Sequence, residues 1–157
     1  MTEWKGKLQY GVFETGGGYV INENNKVTLP ANASTVIGSF DKSVYEKAGY
    51  TNHSAFAVLR NNDDIPISQH KMLMDKFKDI KLEKPKISIE QKGDYAILSS
   101  PVFVWGVCLD IDGEASVKDN CFDLFPGIPY YVKLNTKEEK VSVKQTGNDL
   151  MLKLRAK

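Results

Sequence analysis

The spacing Leu124-x-Pro126-Gly127-x-x-Tyr130-x-Val132 does most to limit what this chain can fold into. Pro126 presets its φ and Gly127 accepts the positive φ of the next position, so the pair suits the centre of a type II turn. Leu124 is placed to anchor that turn in a core. Beyond it, Tyr130, Val132 and Leu134 alternate with Tyr131 and Lys133, which is strand periodicity. Together these residues predict a corner at which the chain crosses between the two sheets of a β-sandwich. In such a corner the Tyr130 hydroxyl bonds backbone a few residues upstream. The alternative is an ordinary Pro-Gly turn with Tyr130 as a core or surface aromatic. Asp119 and Asp123, beside the turn, are expected to bond local backbone amides.

The rest of the chain reads as short strands broken by turns. Leu8, Tyr10 and Val12 alternate with polar or small residues. Gly16-Gly17-Gly18 predicts a loop, Tyr19-Val20-Ile21 a strand and Asn22-Glu23-Asn24-Asn25 a turn. Further strands are expected at Val27–Leu29, around Val36, Ile37 and Phe40, and at Phe56–Leu59, with turn chemistry at Asn61–Asp64. Between Ile67 and Leu82, helix and irregular strand both remain open. Leu82–Pro85 reads as a linker. Past it, strands are expected at Ile87–Ile89, Tyr95–Leu98, Val102–Leu109, Val141–Val143 and Leu150–Leu154.

This pattern predicts an all-β fold: two small immunoglobulin-like β-sandwich domains in tandem, residues 1–83 and 84–157. The first is short of strands for a complete sandwich and is either truncated or finished by the other part. Each would hold about 80 residues, where a single core is marginal.

Composition narrows the function classes. The chain of 157 residues carries a formal net charge of +1, so no basic excess points to nucleic acid. No apolar run reaches membrane-span length. Cys108 and Cys121 do not form a metal-ligand pattern, and whether they pair is left open, because connectivity cannot be read from spacing. No cofactor or metal site is expected.

Several residues invite a chemical reading, and each has a plainer one. Glu23 follows an asparagine, but it sits in an Asn-rich stretch without a second carboxylate placed beside it. Asp63-Asp64 is adjacent turn polarity. Asp110, Asp112 and Glu114 have oxygen-ligand spacing followed or preceded by Gly113, yet the full calcium-loop series is absent and Asp112-Gly113 suits a tight hairpin. His53 and His70 are the only histidines. Asn32-Ala33-Ser34 and Asn52-His53-Ser54 match the glycosylation sequon. Trp105 lies in an apolar run and is expected in the core, whereas Trp4 is the candidate sugar-stacking platform or domain contact.

The stretch Asp119-Asn120-Cys121-Phe122-Asp123-Leu124-Phe125-Pro126-Gly127 resembles a segment in the C-terminal β-sandwich region of glycoside hydrolase family 2 enzymes of the β-mannosidase type. That segment commonly runs Ser-Asp-Asn, an aromatic, Phe-Asp-Leu, an apolar residue, Pro-Gly. Here Lys118, Cys121 and Ile128 depart from it. Ile97–Ser100 and Phe103–Trp105 look like the strands leading in. Trp4–Tyr10 and Val27–Ser34 look like the preceding small sandwich. In that family the catalytic glutamates belong to a (β/α)8 barrel of about 250 residues, which this chain cannot contain. The resemblance therefore implies an accessory region without catalytic residues and a catalytic barrel of a parent retaining glycosidase as its partner; the compartment stays open, a periplasmic, secreted or lysosomal parent being compatible with it. A stand-alone carbohydrate-binding module and a protein-interaction sandwich are the other readings.

Overall fold

In a computed structural model of the chain, residues 2–73, 75–113, 117–136 and 139–156 are described. The fold is all-β, built of antiparallel sheets, with two short α-helices. The chain divides into two compact units, one comprising Met1–Glu14 and Tyr19–Ile80, the other Thr15–Gly18 and Lys81–Lys157.

The first unit is one four-stranded sheet of order β2-β1-β3-β4, formed by β1 (Trp4–Glu14), β2 (Tyr19–Leu29), β3 (His53–Arg60) and β4 (Pro66–Leu73). β1 alternates small or apolar residues with polar ones, so Leu8, Tyr10 and Val12 lie opposite Leu59, Ala57 and Ala55 on one face. Phe13 and Phe56 sit on the other face, with ring centroids 6.1 Å apart. The Asn22–Asn25 stretch is not a turn. β2 runs through it unbroken, with Asn22, Glu23, Asn24 and Asn25 paired to Gly11, Tyr10, Gln9 and Leu8. β2 is an edge strand, so β1 satisfies its backbone on one side while its polar side chains meet water. Asn61 closes the next turn, its Oδ1 accepting from the amides of Asp63 and Ile65.

The strand expected around Val36, Ile37 and Phe40 is absent: the chain there pairs with no strand, and Val36 is 86% exposed. The chain then enters a short helix, α1 (Ser43–Ala48), whose Tyr45 packs on Val12 and Ala55. Tyr45 is only 2% exposed. Burial pushes its hydroxyl up to about 12 from an ordinary 10.0. The folded state thus holds this proton more tightly than the unfolded state does. The stabilisation is complete below pH 10 and is lost as pH climbs toward 12. The expected result is a guanidinium midpoint that falls over that window more steeply in the wild type than in Tyr45→Phe.

The second unit is built from a three-stranded sheet and a two-stranded ribbon. The sheet has the order β5 (Ser88–Lys92), β6 (Tyr95–Ser99), β9 (Tyr130–Lys133), and the ribbon pairs β7 (Val104–Val107) with β8 (Phe122–Leu124). The two make one core: Ala96 and Leu98 of β6, Val132 of β9, Val104 and Val107 of β7, and Phe122 and Leu124 of β8 are all buried together. The β5–β6 hairpin turns at Gly93, whose φ of +60° is open to glycine without cost. Val141–Val143 forms no strand; the chain there makes a single bridge, Cys108 to Gln145.

The last element is a helix, α2 (Gly147–Arg155), where the alternation of Leu150, Leu152 and Leu154 predicts a strand. Thr146 caps it, its Oγ1 accepting from the Asp149 amide at 3.1 Å. This Thr-x-x-Asp cap outweighs the strand-like alternation because it satisfies an N–H that no sheet neighbour is present to take.

Candidate functional site

The corner is built around the turn Phe125, Pro126, Gly127 and Ile128, which is closed by Ile128 N–H to Phe125 C=O at 3.1 Å, with Gly127 at φ +66°. The Gly127 amide also donates to Ser100 C=O at 2.7 Å. Leu124 is fully buried. The Tyr130 ring stacks on Phe122, centroids 3.9 Å apart and nearly parallel. Its hydroxyl does not reach backbone upstream; it donates to the carboxylate of Asp119. Burial first, then the bond to Asp119 and the charges of Asp119 and Asp123, hold this hydroxyl protonated well above the ordinary tyrosine range. Asp123 accepts from the Gly106 amide at 2.9 Å, across the β7–β8 ribbon. Both acids are thus bound to structural groups, Asp123 half-buried and Asp119 at the surface.

Gly106 explains why Trp105 departs from expectation. Its φ of +58° shifts the β7–β8 register, so that Val104 and Val107 both point inward. One extra residue in a strand breaks the two-residue alternation. Trp105 and Gly106 are left half-buried at the rim. There they line a cleft of about 560 Å³ together with Cys108, Asp110, Asn120, Cys121, Gln145 and the start of α2. The indole lies so close to Gly147 that a Cβ at that position would run into the ring.

Asn120 and Asp110 of the cleft are tied into the fold. Asn120 Oδ1 accepts from Leu109 at 2.8 Å, Asp110 at 3.4 Å and Cys121 at 3.1 Å, while its Nδ2 donates to Asp110 C=O at 2.6 Å. Asp110 accepts from the Gly113 amide at 3.1 Å. Glu114, the third acid of that series, lies outside the described residues. Among the described residues no three acidic, cysteine or histidine side chains converge as metal ligands.

Asn148 was invisible to sequence patterning. It is fully buried, and its Oδ1 accepts from the Trp105 amide at 2.8 Å. Its Nδ2 donates to the carbonyls of Glu83 and Phe103, both at 2.9 Å. Its only local signal is its place two residues after the Thr146 cap.

The remaining candidates are scattered. Trp4 heads β1, half-buried, its indole folded over Gly6. Glu23 is exposed on the edge strand β2. His53 pairs with Glu14 at 3.5 Å and its Nδ1 lies 3.0 Å from Gly49 C=O, beside a second cleft of about 550 Å³ lined by Glu14, Ile21 and Lys47. His70 sits on β4 opposite Ala57 and is exposed. No described helix is long and apolar enough to cross a membrane.

No family model matches this chain, and no curated protein does. Among solved structures, 14 chains match. One is the β-D-mannosidase of Dictyoglomus thermophilum, which superposes with a TM-score of 0.71 at 18% identity. The overlap takes in 92% of this chain but only 19% of the mannosidase. At that identity the likeness establishes the fold.

Proposed function

We propose that this chain is a non-catalytic accessory β-region of a β-mannosidase-like glycoside hydrolase of family 2, supporting the catalytic barrel and shaping the rim of its active site. The supporting observation is the breadth of the overlap: almost the whole chain matches about a fifth of a β-D-mannosidase. The Asp119–Gly127 stretch, which resembles the accessory sandwich of that family, adds to it. So does the employment of Asp119, Asp123 and Asn120 as ties within the fold, because a retaining glycosidase needs two carboxylates about 5 Å apart and free to meet the sugar.

In this reading the 1–83 and 84–157 regions are two sandwich-derived modules of the parent. Its partner is the barrel, and Trp4 is a candidate contact to it. The test is direct. Purified chain incubated with an aryl β-mannoside is expected to release no phenol above buffer. Turnover that disappears in a carboxylate variant such as Glu23→Gln would overturn the reading. Saturable binding of a manno-oligosaccharide that is lost in Trp4→Ala would favour a stand-alone binding module.

A further inference from the structure

Cys108 and Cys121 stand 13 positions apart in sequence, yet their Sγ atoms meet at 2.9 Å in the wall of the Trp105 cleft. Neither backbone is free to drift. Cys108 donates its amide to Gln145 C=O at 2.9 Å and accepts from the Lys144 amide at 2.9 Å. Cys121 is held by the Asn120 carboxamide, which at the same time grips Leu109 and Asp110. That one side chain therefore ties together the two segments carrying the thiols. Cys121 is fixed at φ +61°, a conformation uncommon outside glycine and asparagine, with its side chain turned toward Cys108. Cys121 is exposed, whereas Cys108 is half-buried behind it.

We propose that this pair is a redox modification site that closes to an intramolecular disulfide by exchange with a low-molecular-weight disulfide such as oxidised glutathione. The exposed Cys121 thiolate attacks one glutathione sulfur. The glutathione S–S bond breaks, and the departing thiolate takes up a proton. Cys108, after losing its proton, then attacks Cys121 Sγ and displaces the second glutathione. Two electrons leave the cysteine pair and two glutathione thiols are formed. The order is set by exposure. Hydrogen bonding to Cys121, then burial, then the Cys121 charge push the Cys108 thiol up to about 11, so it acts second, once its neighbour has become an electrophile. The bond would stitch the end of β7 to the lead-in of β8 and fix one wall of the cleft.

The experiment incubates the folded full chain with oxidised glutathione, quenches in acid, and reads intact mass and alkylatable thiols. The wild type is expected to lose two hydrogens and both thiols, without gaining glutathione. Cys108→Ser is expected to stop as a glutathione adduct on Cys121. The oxidised wild type should melt higher than the reduced by about 5 °C, because a closed loop restricts the unfolded chain. The Cys108→Ser/Cys121→Ser double variant should melt identically with and without the oxidant. Two persistent free thiols in the wild type, or stable adducts on both cysteines, would overturn the assignment.

Discussion

Asn148→Leu is expected to destabilise the second unit by about 3–5 kcal/mol. Leucine is no smaller than asparagine, so the loss does not come from a cavity. It comes from three backbone groups stranded without partners: the Trp105 amide and the carbonyls of Glu83 and Phe103. Each buried orphan costs about 1–3 kcal/mol, and the three are not additive because they share one side chain. Against a total of about 5–15 kcal/mol for a natural domain, such a change is large. The chain has two tryptophans, one in each unit, so Trp4→Phe leaves Trp105 as the sole indole reporter of the second unit. Urea unfolding followed at Trp105 should show an earlier midpoint in Asn148→Leu. A shift worth less than about 1 kcal/mol would mean that water reaches those three groups and that the asparagine is no clamp.

The same residue shows where sequence patterning stops. Local chemistry was legible where one or two residues dictate the backbone. Pro126-Gly127 marks its turn because proline and glycine each fix a φ. Asn61–Asp64 marks its turn because asparagine bonds amides two and four residues on. The immediate neighbourhood was misleading where a distant partner decides. Asn22–Asn25 reads as a turn until β1 is known to lie beside it over the whole length of β2. Leu150, Leu152 and Leu154 alternate as in a strand, and only the Thr146–Asp149 cap announces a helix. Trp105 reads as core until the Gly106 bulge rotates it to the rim. The sequence does not announce the clamping roles of Asn148 and of Asn120, which lies in the Asp119–Gly127 stretch, because their long-range bonds span 10 to 65 residues of sequence. The adjacency of Cys108 and Cys121 is of the same kind: it exists only once Asn120 has drawn the two segments together.

Leu124→Ala is the second large effect expected, a loss of about 2–5 kcal/mol. Leu124 is fully buried where β8 feeds the corner, packed among Leu98, Val104 and Val132 from both sheets. Truncation removes the apolar transfer term and leaves a void. The void cannot collapse freely, because its neighbours are held in place: Val104 is tied opposite Leu124 in the ribbon, and the turn just beyond is pinned by Gly127 to Ser100. The guanidinium midpoint read at Trp105 should fall with little change in slope, the mark of lost stability without lost compactness of either state. Leu124→Met keeps the volume and should cost under about 1.5 kcal/mol. Val36→Ala sets the baseline, since that side chain is 86% exposed and its removal should leave the midpoint where it was. If Leu124→Ala matched that baseline, the corner would be a surface turn and the two sheets of the second unit would not share a core. The order Leu124→Ala well below Leu124→Met, with Val36→Ala unchanged, is what a sandwich interior closed at this corner requires.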